Sequence, residues 1–156
     1  MWSYRLALLS LLTLVSCGFT PAYGPGSTGA QLRGQIAFGE PSDETTYILV
    51  RRLEERLGIA GDPAFDLSVV LDTREEGLAI DADGDIERYS LLGTARYTLT
   101  DSGTDEERAT GEVSNFTSYS ATGTTVATLA AQRDAQERLI TILADMLVTH
   151  LIAQPL

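Results

Sequence analysis

The middle of the chain alternates between apolar and polar residues, which is the pattern of β-strands that bury one face. The alternation is clear over residues 65–72 and 88–99, and the first of these strands is predicted to continue to Ile80 with a bulge near Gly77. A third strand, rich in Ser and Thr, is predicted over residues 109–120. Turn-forming residues fill the gaps at 81–85 and 100–105. Three consecutive strands with short connections predict antiparallel hairpins.

Two other segments show the spacing of amphipathic helices, with apolar residues every three or four positions. In the first, Leu49, Leu53 and Leu57 fall on one side. Ser42-Asp43 can cap this helix, which is predicted to start near Glu44, and Gly58 ends it. The second helix is predicted over residues 125–153, with an apolar stripe of Ala131, Ala135, Leu139, Ile142, Leu143, Met146, Leu147 and Leu151.

A short apolar segment, residues 32–38, predicts one more strand ahead of the first helix. The element order is therefore β-α-β-β-β-α. This order predicts an α+β, two-layer sandwich in which an approximately four-stranded, mixed or antiparallel sheet carries both helices on one face.

The N-terminus has the layout of an export signal. Arg5 precedes an apolar run over residues 6–15, which is about half of the ~20 residues needed to span a bilayer. The run ends in Leu14-Val15-Ser16-Cys17, and Cys17 is the only cysteine. This segment resembles a bacterial lipobox, in which the cysteine is acylated and the chain is cut directly before it. The alternative is an ordinary signal peptide with a cysteine nearby.

These features divide the chain into three parts. Residues 1–16 are predicted to be a lipoprotein signal peptide, residues 17–29 a lipidated tether rich in Gly and Pro, and residues 30–156 a single domain. A mature chain of about 140 residues can bury a core without disulfides. Acyl chains on Cys17 would be the only membrane attachment.

The charge of the chain argues against nucleic acid as a partner. The sequence has 11 basic and 22 acidic residues, a net charge of −11, and every basic residue is arginine. It contains no basic run that could displace the counterions of a phosphate backbone. An anionic ligand would have to be held by a few arginines against an unfavourable overall field.

Catalytic and metal-binding patterns are weak. His150, the only histidine, lies near the end of the last predicted helix, and the sequence offers no nucleophile–base pair and no set of zinc ligands. Residues 81–85, Asp-Ala-Asp-Gly-Asp, faintly resemble a calcium loop, but the glycine is fourth rather than sixth, so a hairpin turn fits better. We predict a protein that is not an enzyme and needs no cofactor.

The segment from Cys17 to Gly24, Cys-Gly-Phe-Thr-Pro-Ala-Tyr-Gly, resembles the start of mature lipopolysaccharide-assembly lipoproteins of the LptE family, especially those of alphaproteobacteria. The later layout is similar too: a helix with paired arginines, a long hairpin, a Ser- and Thr-rich strand, and an Ala-rich last helix containing Ala131-Gln-Arg-Asp-Ala135. The resemblance implies a two-layer α/β fold and a plug inside the outer-membrane barrel LptD. It also implies help in assembling that barrel and in delivering lipopolysaccharide to the outer leaflet.

Three arginines are candidates for lipopolysaccharide contact. Arg88 and Arg96 are eight residues apart on one predicted strand, so they share a face but lie roughly 26 Å apart. Arg74, on the preceding strand, is expected near one of them. A guanidinium suits a phosphate, but pairing with Glu75, Glu76, Glu87 or Glu112 across the strands is the alternative.

The last strand offers a candidate partner surface. Its small polar residues and scattered aromatics suit a wet interface with the polar lumen of a barrel, and a plain solvated sheet is the alternative. The candidate interface residues are Thr110, Ser114, Phe116, Ser118 and Tyr119.

The predicted location is the periplasmic side of the outer membrane. Gly18 follows Cys17, whereas an Asp at that position is the inner-membrane retention signal of enteric bacteria. The alternative function is a free-standing, lipid-tethered periplasmic binding module or an accessory lipoprotein of a transporter. A lipoprotein enzyme is disfavoured because site residues are missing.

Overall fold

The computed structural model describes residues 22–80 and 86–156. Cys17, the predicted signal peptide and the predicted turn at 81–85 lie outside the described residues. The elements, in chain order, are α1 (Thr28–Leu32), β1 (Ile36–Phe38), α2 (Glu44–Leu57), β2 (Phe65–Ile80), β3 (Ile86–Asp101), β4 (Glu107–Ser120) and α3 (Thr125–Ile152).

The four strands form one mixed sheet in the order β1-β2-β3-β4. β1 runs parallel to β2, and the other two pairs are antiparallel. A register shift between Gly77 and Ala79 marks a bulge near the end of β2. The predicted α+β class, the four-stranded sheet and the packing of the helices on that sheet are confirmed.

The first strand is shorter than the sequence predicts. Leu32 was expected to begin it, but Leu32 ends helix α1, which Ser27 caps by accepting a hydrogen bond from the Ala30 N–H. Gly34, with φ +69°, then turns the chain into β1. Leu32 is fully buried although it lies in a helix, so its hydrophobicity predicted its burial but not its secondary structure.

Helix α2 begins and ends where its capping residues predict. The Asp43 carboxylate accepts from the Thr46 N–H at 2.8 Å, and the Thr46 side chain reaches back to the Asp43 N–H. This reciprocal pair satisfies two of the free N–H groups of the first turn. Gly58, with φ +83°, closes the helix by donating to the Glu54 carbonyl.

Helix α3 supplies the largest share of the core. Its fully buried residues are Ala135, Leu139, Ile140, Leu143, Ala144, Leu147, Val148 and Leu151. This arc is wider than the predicted stripe, and Ile142 and Met146 lie only at its margin. The arc is wide because α3 faces both the sheet and α2, so Ile140, Ala144 and Val148 are buried towards the neighbouring helix.

Two glycines let α3 approach the sheet closely. A Cβ on Gly93 would lie 2.8 Å from Leu143 Cδ1, and one on Gly111 would lie 2.7 Å from His150 Cε1. Distances this short are incompatible with normal packing, so larger residues would push the helix outwards. At these two glycines, side chains of α3 therefore pack directly against the backbone of β3 and β4.

An ion cluster fixes α2 beside α3. Asp145 of α3 receives two hydrogen bonds from Arg52, at 3.0 and 2.9 Å, and one from Arg56 at 2.6 Å. Arg52 also contacts Glu55 at 3.0 Å. The hydrogen bonds from Arg52 lower the pKa of Asp145, and its partners raise the pKa of Arg52.

Replacing Gly111 with alanine is expected to lower the free energy of unfolding by about 1–3 kcal/mol, the usual cost of overpacking. The new methyl would meet the rings of His150 and Tyr97, which contact each other. Gly61→Ala is the control, because no atom lies within 4 Å of its Cβ position. Urea denaturation of both variants measures the difference, and equal stability would contradict the close approach.

Replacing Asp145 with asparagine is expected to cost about 1 kcal/mol at neutral pH, a modest value because the pair is partly exposed. The Asp145 pKa lies below its ordinary value of 3.8 in the fold, so the ion cluster stabilises the protein above that pH. The stabilisation is lost as the pH falls through the lower, folded-state pKa.

The difference in unfolding free energy between wild type and D145N should therefore shrink as the pH falls below 3.8. Asp134→Asn is the matched control, since Asp134 forms an exposed pair with Arg138 on one helix. A D145N difference that stays constant down to acid pH would contradict the role of the carboxylate.

Candidate partner and ligand surface

The side chains of β2, β3 and β4 that point away from α2 and α3 form a surface that we call the open face. The strand register places residues of alternate positions here. Its central residues are Val70, Asp72, Arg74 and Glu76 of β2, Leu92, Thr94 and Arg96 of β3, and Glu112, Ser114, Phe116 and Ser118 of β4. No helix of the described residues covers this side.

The three candidate arginines all lie on the open face. Arg74 is in register with Leu92, which is four residues from Arg88 and four from Arg96. Arg74 is therefore spaced roughly 13 Å from each along the strands. The sequence correctly placed Arg88 and Arg96 on one face. Arg74 shares that face but lies midway between the two along the strands, not near one of them as predicted.

Two of these arginines form ion pairs. Arg96 Nε lies 2.8 Å from Glu112 Oε2 across the β3–β4 ladder, and Arg74 Nε lies 3.3 Å from Glu76 Oε1 on its own strand. For Arg96, the alternative of pairing with a glutamate on the neighbouring strand is therefore what the structure shows. All four side chains are more than half exposed. Exposed pairs of this kind contribute about 0–1 kcal/mol, so a stronger anion can replace the carboxylate at low cost.

Four of the five candidate interface residues share the open face. Thr110, Ser114, Phe116 and Ser118 all point outwards from β4 and are exposed. The Ser114 hydroxyl lies 3.0 Å from that of Thr94 on the neighbouring strand. The surface is therefore polar and hydrogen-bonded, with one exposed aromatic ring.

Tyr119 does not belong with them. Its position in β4 is one residue out of phase, so it faces the helices, and its exposed fraction is 7%. Its ring stacks on Tyr89 at 5.3 Å, and its hydroxyl donates to Glu75 at 3.0 Å. Burial, together with Glu75, raises the pKa of Tyr119 to about 12. Tyr119 is a packed residue of the helix-facing layer.

The centre of the open face is a shallow depression of about 500 Å³. Arg74 and Arg96 border it, and the side chains of Leu92 and Phe116, opposite each other in the ladder, line it. Phe116 is 65% exposed. Leu92 was not among the residues predicted from the sequence, although the pair Leu91-Leu92 breaks the alternation and puts an apolar side chain on the polar face.

His150 takes part in a hydrogen-bonded group that joins the last helix to the sheet. Gln154 Nε2 donates to the Tyr97 hydroxyl at 3.1 Å, and this hydroxyl lies 2.8 Å from His150 Nδ1. Burial raises the pKa of Tyr97. The three residues join the end of α3 to β3, as expected for a histidine at a helix end.

Neither a metal site nor a spanning helix is found in the described parts of the chain. Within residues 22–80 and 86–156, no three His, Cys, Asp or Glu side chains gather as metal ligands. The calcium-like segment at 81–85 lies outside these ranges. Over the same residues, no helix combines the length and the hydrophobicity needed to cross a bilayer.

Solved structures with this fold come from several bacterial lipoproteins. A Caulobacter crescentus CB15 chain described as a lipoprotein aligns with a TM-score of 0.66 and 21% identity, over 83% of this chain and 98% of its own. Rare lipoprotein B of Shewanella oneidensis aligns with a TM-score of 0.60 and 14% identity, over 76% of this chain and 92% of its own. Lipoprotein B of Nitrosomonas europaea aligns with a TM-score of 0.60 and 12% identity, over 87% of this chain and 91% of its own. At these identities the likeness shows the fold.

Family membership rests on a sequence model. No curated protein matches the chain. The model described as "LptE: Lipopolysaccharide-assembly" matches residues 34–151, which is nearly all of the folded domain. The work of such a family is assembly rather than catalysis, which confirms the prediction of a non-enzymatic lipoprotein. The chain therefore belongs to the LptE family of lipopolysaccharide-assembly proteins.

Proposed function

We propose that this protein is an outer-membrane lipoprotein, anchored on the periplasmic side through an acylated Cys17, that occupies the lumen of the LptD barrel. There it helps to assemble the barrel and to deliver lipopolysaccharide to the outer leaflet. The observation that carries the proposal is the open face in a chain of the lipopolysaccharide-assembly family. No helix of the described residues covers that side of the sheet, so a partner protein can bind there.

The chemistry of the open face fits the lumen of a barrel. Barrel interiors are polar, and wet interfaces between proteins use small hydroxyl side chains with a few aromatic anchors. Ser114 and Ser118 supply the first kind of group, and the exposed ring of Phe116 supplies the second. A dry, permanent interface would require a much more apolar face.

Photo-crosslinking tests this orientation. A photoreactive residue at Ser114 or Ser118 is expected to capture a large β-barrel in growing cells, because both positions point out of the open face. Thr149 is the control position, since it is exposed on α3, away from the sheet. Failure of both strand positions to capture a barrel would contradict the plug and favour the free-standing binding module.

Lipopolysaccharide contact is the second part of the proposal. Arg74, Arg88 and Arg96 lie along the open face at intervals that separate phosphate groups could meet. An arginine fork pairs with phosphate bidentately and more strongly than with an exposed carboxylate. The acidic partners of Arg74 and Arg96 then hold those side chains extended until the ligand replaces them.

Substituting all three arginines with alanine is expected to weaken binding of lipopolysaccharide by about tenfold or more, because each charged hydrogen bond is worth roughly 1.5–3 kcal/mol. Arg138→Ala is the matched control, as Arg138 is an exposed, ion-paired arginine on α3. Binding to the purified lipoprotein is measured by fluorescence titration, with circular dichroism to verify folding. Equal affinity in the triple variant would exclude this site.

A further inference from the structure

The outer edge of β2 is largely unpaired. β1 pairs with β2 only from Phe65 to Leu67, whereas β2 continues to Ile80. Within the part of the chain that the structure describes, no other strand pairs with residues 68–80 on that side. β2 therefore presents a row of backbone donors and acceptors beside the end of β1.

The alternating direction of the backbone hydrogen bonds along β2 identifies which N–H and C=O groups point to the free edge. The Phe65 N–H donates to the Gln35 carbonyl at 3.0 Å, so Phe65 bonds towards β1. Since the direction alternates along a strand, Val69 and Leu71 direct their N–H and C=O groups to the free edge. Val70, between them, bonds to β3.

This stretch lacks the usual protection of an edge strand. Natural edges are blocked by charges, prolines, bulges or covering loops. Residues 68–71, Ser-Val-Val-Leu, contain none of the first three, and the first charge is Asp72. The connection between β1 and α2, residues 39–42, lines the same groove as Ser68 and Val69 but forms no strand pair with them. The outer edge of β4 differs, because Glu112 lies on it and the Phe116 N–H is already bonded to the Asn115 side chain at 2.7 Å.

A groove of about 400 Å³ lies next to the free edge, between α2 and β2. Its apolar lining is Phe38, Leu49, Val50, Leu53, Leu67 and Val69. Its charged lining consists of Glu40 and Asp66, both acidic. A strand that prolonged the line of β1 would place alternate side chains in this groove.

We propose that the edge of β2 at Val69 and Leu71 binds an extended segment of a partner protein by strand addition. Backbone hydrogen bonds to Val69 and Leu71 would hold the segment, as in other strand-addition complexes. Its apolar side chains would enter the groove below α2, and its basic side chains would lie near Asp66 and Asp72. The backbone groups of this site lie on the edge of the sheet. The site shares Asp72 with the open face but does not depend on the barrel proposal.

The partner is a basic segment rather than a second copy of this chain. Each copy carries a net charge of −11, and pairing two β2 edges would bring the acidic groups beside them together. β1 also limits symmetric pairing, because it already occupies the edge at residues 65–67.

Amide hydrogen exchange of the mature lipoprotein in detergent micelles tests the proposal, with an end-blocked Val-Arg-Val-Arg-Val-Arg peptide as the probe. The peptide is expected to slow exchange at Val69 and Leu71 about tenfold, the effect of one added hydrogen bond. Val70 should not change, because its N–H is already bonded to β3. Ser114, on the outer edge of β4, should not change either.

Three results would overturn the proposal. One is the absence of slowing at Val69 and Leu71, and another is equal slowing at Ser114, which indicates general adhesion to an acidic protein. The third is protection that rises with protein concentration without peptide, because a second copy then occupies the edge. A Val-Glu peptide of the same length is the charge control and should have no effect.

A backbone variant separates strand addition from adhesion. Val69→Pro removes one outward N–H without removing a hydrogen bond to β3, so the Val-Arg peptide should bind about tenfold more weakly. Val70→Thr is the matched control and should bind as wild type does. If Val69→Pro does not fold, the exchange measurement on the wild-type protein decides alone.

Discussion

The close contact between α3 and the β3–β4 ladder is the constraint on which the rest of the structure depends. Gly93 and Gly111 allow this contact, and a fully buried arc of α3 fills the space above them. With one long helix supplying the largest share of the core, the domain needs a covering layer on only one side of its sheet. The opposite side is free to carry polar and charged residues, and the open face is a direct consequence of this packing.

The second helix is tied mainly to the first. Arg52 and Arg56 hold α2 beside Asp145 of α3, and Ile140 and Ala144 are buried towards α2. Because α2 packs mainly against its neighbour, and β1 has only three residues, a groove remains between α2 and the edge of β2. The domain thus has two surfaces with different chemistry: a broad hydroxyl- and arginine-bearing face, and a narrow apolar edge with acidic flanks. Such a pair of surfaces suits a protein that works within an assembly.

The sequence predicted the regular elements well, because local signals determine them. The alternation along residues 65–72 and the Ser42-Asp43 cap of α2 both have local causes, and both elements begin where predicted. The errors arose where tertiary contacts decide. Leu32 is buried from a helix because Gly34 turns the chain just after it. Tyr119 is a different kind of error: Ser118 and Tyr119 are neighbours in one strand, so alternation alone puts their side chains on opposite faces. The position of Arg74 midway between the other two arginines follows from the β2–β3 register, which the composition of the strands does not encode. The unpaired edge of β2 depends on the length of β1, which the apolar run at 32–38 overstated.

The central claim is that this protein works as a component of an outer-membrane complex and that its open face is covered there. The most direct measurement is native mass spectrometry of the tagged, mature lipoprotein extracted from outer membranes in mild detergent, with the co-purified protein identified from its peptides. The account predicts a one-to-one complex with the LptD barrel. A clean, acylated monomer under conditions that preserve other outer-membrane complexes would contradict it and would favour a free-standing, lipid-tethered binding module.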